Sequence, residues 1–122
     1  MGNIDFRIAL ETPDSGAPIL RIKGAADCSR EELIRQEIMS LLESDYTNAI
    51  IDLEKVEFID STVLAVLIGG LKRFRQKEGD LLLVCPSSRI YRVFEVTGLD
   101  KIFHIFNCVN DAQEAIKENP AP

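Results

Sequence analysis

Apolar residues recur at two periods along this 122-residue chain: every second position in short runs, and every third or fourth in longer ones. Ile4, Phe6, Ile8 and Leu10 alternate with polar residues, which predicts a half-buried strand. Residues 11–18, Glu-Thr-Pro-Asp-Ser-Gly-Ala-Pro, are a turn cluster, so residues 19–23 are expected to fold back as the second arm of a hairpin. Residues 24–27 leave that strand. Asp27 or Ser29 is then placed to cap a helix, Ser29 and Glu32 standing at capping-box spacing. Ile34, Ile38, Leu41 and Leu42 mark the apolar face of this helix, which ends near Ser44. Residues 48–53 form an apolar run of strand length, and residues 54–59 read as a connector.

The connector leads into the strongest helix signal in the chain. Asp60, Ser61 and Thr62 stand directly before an apolar run, where short side-chain oxygens accept from the unpaired N–H groups of a first turn. Leu64, Leu67, Ile68, Leu71 and Phe74 follow at helical spacing, and Lys72, Arg73, Arg75 and Lys77 load the last turns with positive charge. Gly79 is placed to end this helix in the left-handed conformation. Beyond it, residues 81–85 predict a buried strand. A helix follows, capped by Ser87 or Ser88, carrying Ile90, Val93 and Phe94, and closed by Gly98. Residues 102–106 predict a last strand and residues 110–117 a last helix. The order β-β-α-β-α-β-α-β-α specifies an α/β fold. It has one mixed, mostly parallel sheet with an N-terminal hairpin and about four helices. A single domain over 1–118 with a flexible tail at 119–122 is expected. In such sheets, sites form at the carboxyl ends of the strands, which brings Asp27 and the Asp60–Ser61 pair to one rim.

Composition and charge narrow the function. With 46% apolar and 28% charged residues the chain reads as an ordinary globular domain. A net charge of −6 argues against nucleic acid, whose phosphates need a basic face, and offers nothing to anionic lipid. The apolar run at 63–71 falls short of the roughly 18 residues that span a bilayer, so no direct membrane insertion is expected. Cys28, Cys85 and Cys108 are odd in number and far apart, a pattern of reduced thiols in a cytoplasmic protein, with Cys28 read as a small buried residue.

The residues supply no catalytic set. His104 is the only histidine and sits in the predicted last strand, where a structural role is expected. Ser61 lacks the G-x-S-x-G surroundings of a serine nucleophile. No phosphate-binding glycine loop occurs, and Gly69-Gly70 lies inside a helix, where it permits close packing. Metal-ligand spacing is absent as well, so neither metal nor cofactor is expected.

The stretch Ile-Asp-Ser-Thr-Val-Leu-Ala-Val-Leu at 59–67 resembles the signature of the anti-sigma factor antagonists, members of the STAS domain family. The resemblance runs through Ile50, Ile51, Asp52 and Leu53, through Val56 and Phe58, and through Gly79-Asp80 with the strand after it. It implies a non-enzymatic switch in which Ser61 is phosphorylated by an anti-sigma factor that is also a serine kinase. A metal-dependent phosphatase of the PP2C type restores the hydroxyl. The unphosphorylated form then binds the kinase, which releases its sigma factor. The resemblance places partner contact at Asp27, Asp60, Ser61, Thr62 and Val63.

Two features depart from that pattern. Glycine usually follows the Asp-Ser-Ser/Thr element and often recurs two residues later; here Val63 and Ala65 stand at those places, adding bulk where a kinase approaches. The long turn at 11–18 is the other. An alternative within the same family is an interaction scaffold, or an accessory subunit of a membrane transport complex, with no sigma-factor control.

Overall fold

The computed structural model describes residues 6–118; Ile4 of the first predicted strand and the predicted tail at 119–122 lie outside that range. Strands β1 (Arg7–Glu11), β2 (Ile19–Ala26), β3 (Asn48–Ile59), β4 (Asp80–Val84) and β5 (Ile105–Phe106) stand side by side in chain order. β1 and β2 form the expected antiparallel hairpin, and each later pairing is parallel. Helices α1 (Glu31–Glu43), α2 (Ser61–Gln76) and α3 (Ser88–Val96) are the crossovers between the parallel strands, and α4 (Val109–Glu118) closes the chain.

Strand alternation sorts the apolar side chains onto two faces. Leu20, Ile22, Ala49, Ile51, Leu81 and Leu83 pack with α1, α2 and α3 in the larger core. Their neighbours Ile19, Ile50, Leu82 and Val84 pack with Ala112 and Ile116 of α4 on the opposite face. Phe74 of α2 and Phe94 of α3 are fully buried, and Phe94 meets Phe103 edge to face at 5.9 Å. Each such side chain contributes about 1.5–3 kcal/mol by leaving water. Gln113 of α4 ties down the long turn. Its Oε1 accepts from the Ala17 N–H at 2.9 Å, and its Nε2 donates to the Ala17 carbonyl at 3.0 Å.

The structure corrects several expectations. Residues 54–59 are strand, not connector: β3 runs unbroken to Ile59 beside β2. Two register shifts each give β3 one extra residue, Asp52 to Lys55 facing Arg21 to Lys23 and Val56 to Phe58 facing Gly24 to Ala25. The buried positions are therefore Leu53, Val56 and Ile59, three apart rather than two. The last strand shrinks to Ile105–Phe106 because the 3-10 turn at Leu99–Lys101 carries on, the N–H groups of Ile102 and Phe103 both donating to the Leu99 carbonyl. His104 lies before it, exposed, with Nδ1 2.9 Å from Asp80 Oδ2. Cys28 is exposed, as is Cys108, whereas Cys85 is buried and desolvation pushes its thiol up to about 11. Iodoacetamide on the native protein is expected to label Cys28 and Cys108 and to reach Cys85 only after unfolding, read by peptide mass.

The left-handed residue after α2 is Glu78, with φ of 63°, and not Gly79. Gly79 is needed for another reason: a Cβ there would lie 1.7 Å from the carbonyl oxygen of Thr47. Since a side chain in the left-handed region costs about 1–2 kcal/mol, Glu78→Gly is expected to stabilise the fold by about 1 kcal/mol in urea unfolding.

Candidate functional site at the carboxyl ends of β2 and β3

β2 and β3 end side by side. Ala26 pairs with Ile59, and the Asp60 N–H donates to the Ala26 carbonyl at 3.3 Å. Asp27 and Asp60 follow at the same level on one rim, each in extended conformation and each capping the helical turn that comes next. The Asp60 carboxylate accepts from the Val63 N–H at 3.1 Å, while its carbonyl accepts from the Leu64 N–H at 3.0 Å. The N–H groups of Ser61 and Thr62 remain as the donors of the first turn. Asp60 is therefore the cap, and Ser61 is free of that task.

Ser61 is exposed as the first residue of α2, and its hydroxyl has no hydrogen-bond partner among the described residues. Thr62 is half-buried beside it. Val63 turns inward and is 1% exposed, so its side chain packs in the core rather than meeting a partner. The bulk expected from Val63 at the helix start is thus absent from the surface; that of Ala65 remains there.

Asp27 caps the 3-10 turn Cys28–Arg30, accepting from the Ser29 N–H at 3.0 Å and the Ser29 hydroxyl at 2.6 Å. The predicted capping box does not form, because the Ser29 hydroxyl points back to Asp27 and Glu32 bonds Arg35 and Gln36 instead. The Ser29 hydroxyl holds the Asp27 carboxyl below the usual carboxylate range. The stabilising contact is present above the unfolded carboxyl pKa, about 3.9, and is lost as pH falls through the lower folded value. Asp27 is therefore charged at neutral pH, and the rim presents two carboxylates around one hydroxyl. Asp27 is marked in the sequence by its place after β2, by its fitness as a cap and by the family resemblance.

The arrangement holds out a hydroxyl that no base among the described residues contacts: Asp60 is taken up by the Val63 N–H and Asp27 by Ser29. Among the described residues no group of three or more His, Cys, Asp or Glu side chains is placed to hold a metal ion. His104 sits at Asp80, on the first residue of β4 and so at the opposite end of the sheet from the rim. No helix of the described residues is long and apolar enough to cross a membrane.

Comparison with known proteins matches residues 8–112 to the STAS domain. An anti-sigma-B factor antagonist of Listeria monocytogenes is 46% identical over 57 residues, which cover 47% of this chain and half of the relative's length. An anti-sigma factor antagonist from Mycobacterium paratuberculosis superposes with a TM-score of 0.84 at 24% identity, covering 93% of this chain and 95% of that one. The anti-sigma factor antagonist SpoIIAA of Bacillus shares the fold in both of its forms. Its unphosphorylated form gives a TM-score of 0.78 at 22% identity, covering 92% of this chain and 97% of SpoIIAA. Its phosphorylated form gives 0.71 at 22% identity, covering 90% and 99%.

Proposed function

The chain belongs to the STAS domain family, and from that premise we propose that it is an anti-sigma factor antagonist switched by phosphorylation of Ser61. The observation that carries the reading is the division of labour at the start of α2. Asp60 does the capping, which leaves the Ser61 hydroxyl exposed and unengaged. The name of the Listeria relative, an anti-sigma-B factor antagonist, supports the antagonist part of this reading.

The switch follows from local chemistry. A kinase transfers the γ-phosphoryl group of ATP to Ser61 Oγ; the Oγ–H bond breaks, an O–P bond forms, the proton leaves to a base of the kinase, and ADP departs. The base comes from the kinase, since Asp60 and Asp27 are engaged in capping and neither contacts Ser61. The product carries about −1.5 to −2 charge and three acceptor oxygens at the N-terminus of α2. There it meets the N–H groups of Ser61 and Thr62 and the positive end of the helix dipole, while Asp60 and Asp27 repel it. These opposing contributions are of similar size, so the fold survives modification and the effect falls on the surface. A PP2C-type phosphatase resets it.

In this reading Asp60, Ser61, Thr62 and Asp27 meet the partner, and the chain is a binding protein without turnover of its own. Asp27→Ala is expected to weaken kinase binding about tenfold in isothermal titration and to leave the circular dichroism spectrum unchanged. The function itself is tested by reconstitution. Unphosphorylated chain added to a preformed complex of a sigma factor and its serine kinase should release the sigma factor. The phosphorylated chain should not. Equal release by both forms would favour an interaction scaffold instead.

A further inference from the structure

We propose that the groove between α1 and α2 receives an amphipathic helix of the partner, apolar along its inner ridge and bearing a carboxylate that pairs with Arg73. The proposal rests on the antagonist reading, because the helix belongs to the kinase that meets Ser61.

The groove encloses about 270 Å³ over a floor of Ile38, Met39, Val66, Gly69 and Gly70. It begins at Thr62, next to Ser61, and so continues the rim already described. Its far end is Arg73, eleven residues along α2, or about 16 Å at 1.5 Å per residue. That is three turns of a docked helix, and an apolar groove of this length suits helix-in-groove recognition. A small molecule suits it less, since the volume lies below the roughly 300–1,000 Å³ of ordinary ligand pockets.

Two features show that the groove is not simply a by-product of packing. Gly70 has an internal reason: a Cβ there would stand 2.9 Å from Ile38 Cγ2, so α1 needs the space. Gly69 has none. Nothing lies within 4 Å of where its Cβ would be, yet a glycine inside a helix costs stability relative to alanine. What Gly69 does is keep the groove deep. Ala65 stands one turn before it and Arg73 one turn after, so one ridge of α2 reads small, small, cation.

The second feature is charge. Arg35, also at the groove, is neutralised on its own helix by Glu31 and Glu32. Arg73 pairs with no carboxylate among the described residues; its Nη1 rests 3.5 Å from Met39 Sδ. On a chain of net charge −6, an exposed cation at the end of an apolar groove selects an acidic residue on the occupant.

The test is isothermal titration of Gly69→Met and Arg73→Glu against the serine kinase of the same genome that wild type binds, with thermal melts of each variant. Both variants are expected to weaken binding at least tenfold. Gly69→Met should melt no lower than wild type, since nothing stands within 4 Å of its Cβ and methionine suits a helix better than glycine, and Arg73→Glu alters only the surface. If both bind within twofold of wild type while Ser61→Asp loses binding, the groove proposal is overturned and the antagonist reading stands. If wild type binds no serine kinase of its genome, the antagonist reading falls and the groove proposal with it.

Discussion

Ser61→Asp is expected to bind the cognate kinase about a hundredfold more weakly than wild type, whereas Ser61→Ala binds as wild type does. The difference follows from where Ser61 stands. Its hydroxyl neither caps α2 nor bonds to another described residue, so removing it leaves the fold and the docking surface as they were. A carboxylate in its place joins Asp60 and Asp27 on a rim that already carries two negative charges. At an interface, an unpaired or like-charged group costs several kcal/mol, and each 1.4 kcal/mol is about tenfold in affinity. Isothermal titration of both variants checks this. The fold should hold throughout, because an acidic residue in the first turn suits the helix dipole by about 0.3–1 kcal/mol.

Gly79→Ala is expected to destabilise the fold by about 3 kcal/mol in urea unfolding. The added methyl would lie 1.7 Å from the Thr47 carbonyl oxygen and 2.7 Å from its carbon, both backbone atoms that no rotamer change can move aside. Thr47 leads into β3 and Gly79 into β4, so the clash falls where Asn48 pairs with Asp80. Relief requires the two central strands to separate at their start. By contrast, Gly69→Ala has open space and should be tolerated.

Legibility followed how local each signal is. α2 was legible because capping, apolar periodicity and terminal charge all lie within one stretch, and Asp60 does accept from the Val63 N–H three residues on. The hairpin and the order of crossovers followed from turn residues and alternation for the same reason. The far half of β3 was not legible. Its bulges replace the two-residue period by buried positions at Leu53, Val56 and Ile59, and its outward residues, Glu54, Lys55, Glu57 and Phe58, are exposed. β4 ends its pairing at Asp52, so that half of β3 has only β2 alongside and no reason to be apolar on both faces. Ser29 stands at capping-box spacing yet donates to Asp27, because a serine two residues after an aspartate can cap or donate and only the turn of the 3-10 segment decides which. Val63 adjoins the rim in sequence yet faces the core, because helical phase, not nearness to Ser61, decides which way a side chain faces. Gly79 looked like a left-handed terminator because glycine is the usual residue there, yet the backbone puts that burden on Glu78 and spends Gly79 on the approach of Thr47.

The central claim, that Ser61 is the switch, is tested most directly by intact-mass measurement of the protein isolated from its own cells, with and without phosphatase treatment. The account predicts a species carrying one phosphate that phosphatase removes and that the Ser61→Ala protein never shows. A phosphate that persists in Ser61→Ala, or a wild-type protein that is never phosphorylated while its sigma factor is switched on and off, would contradict it.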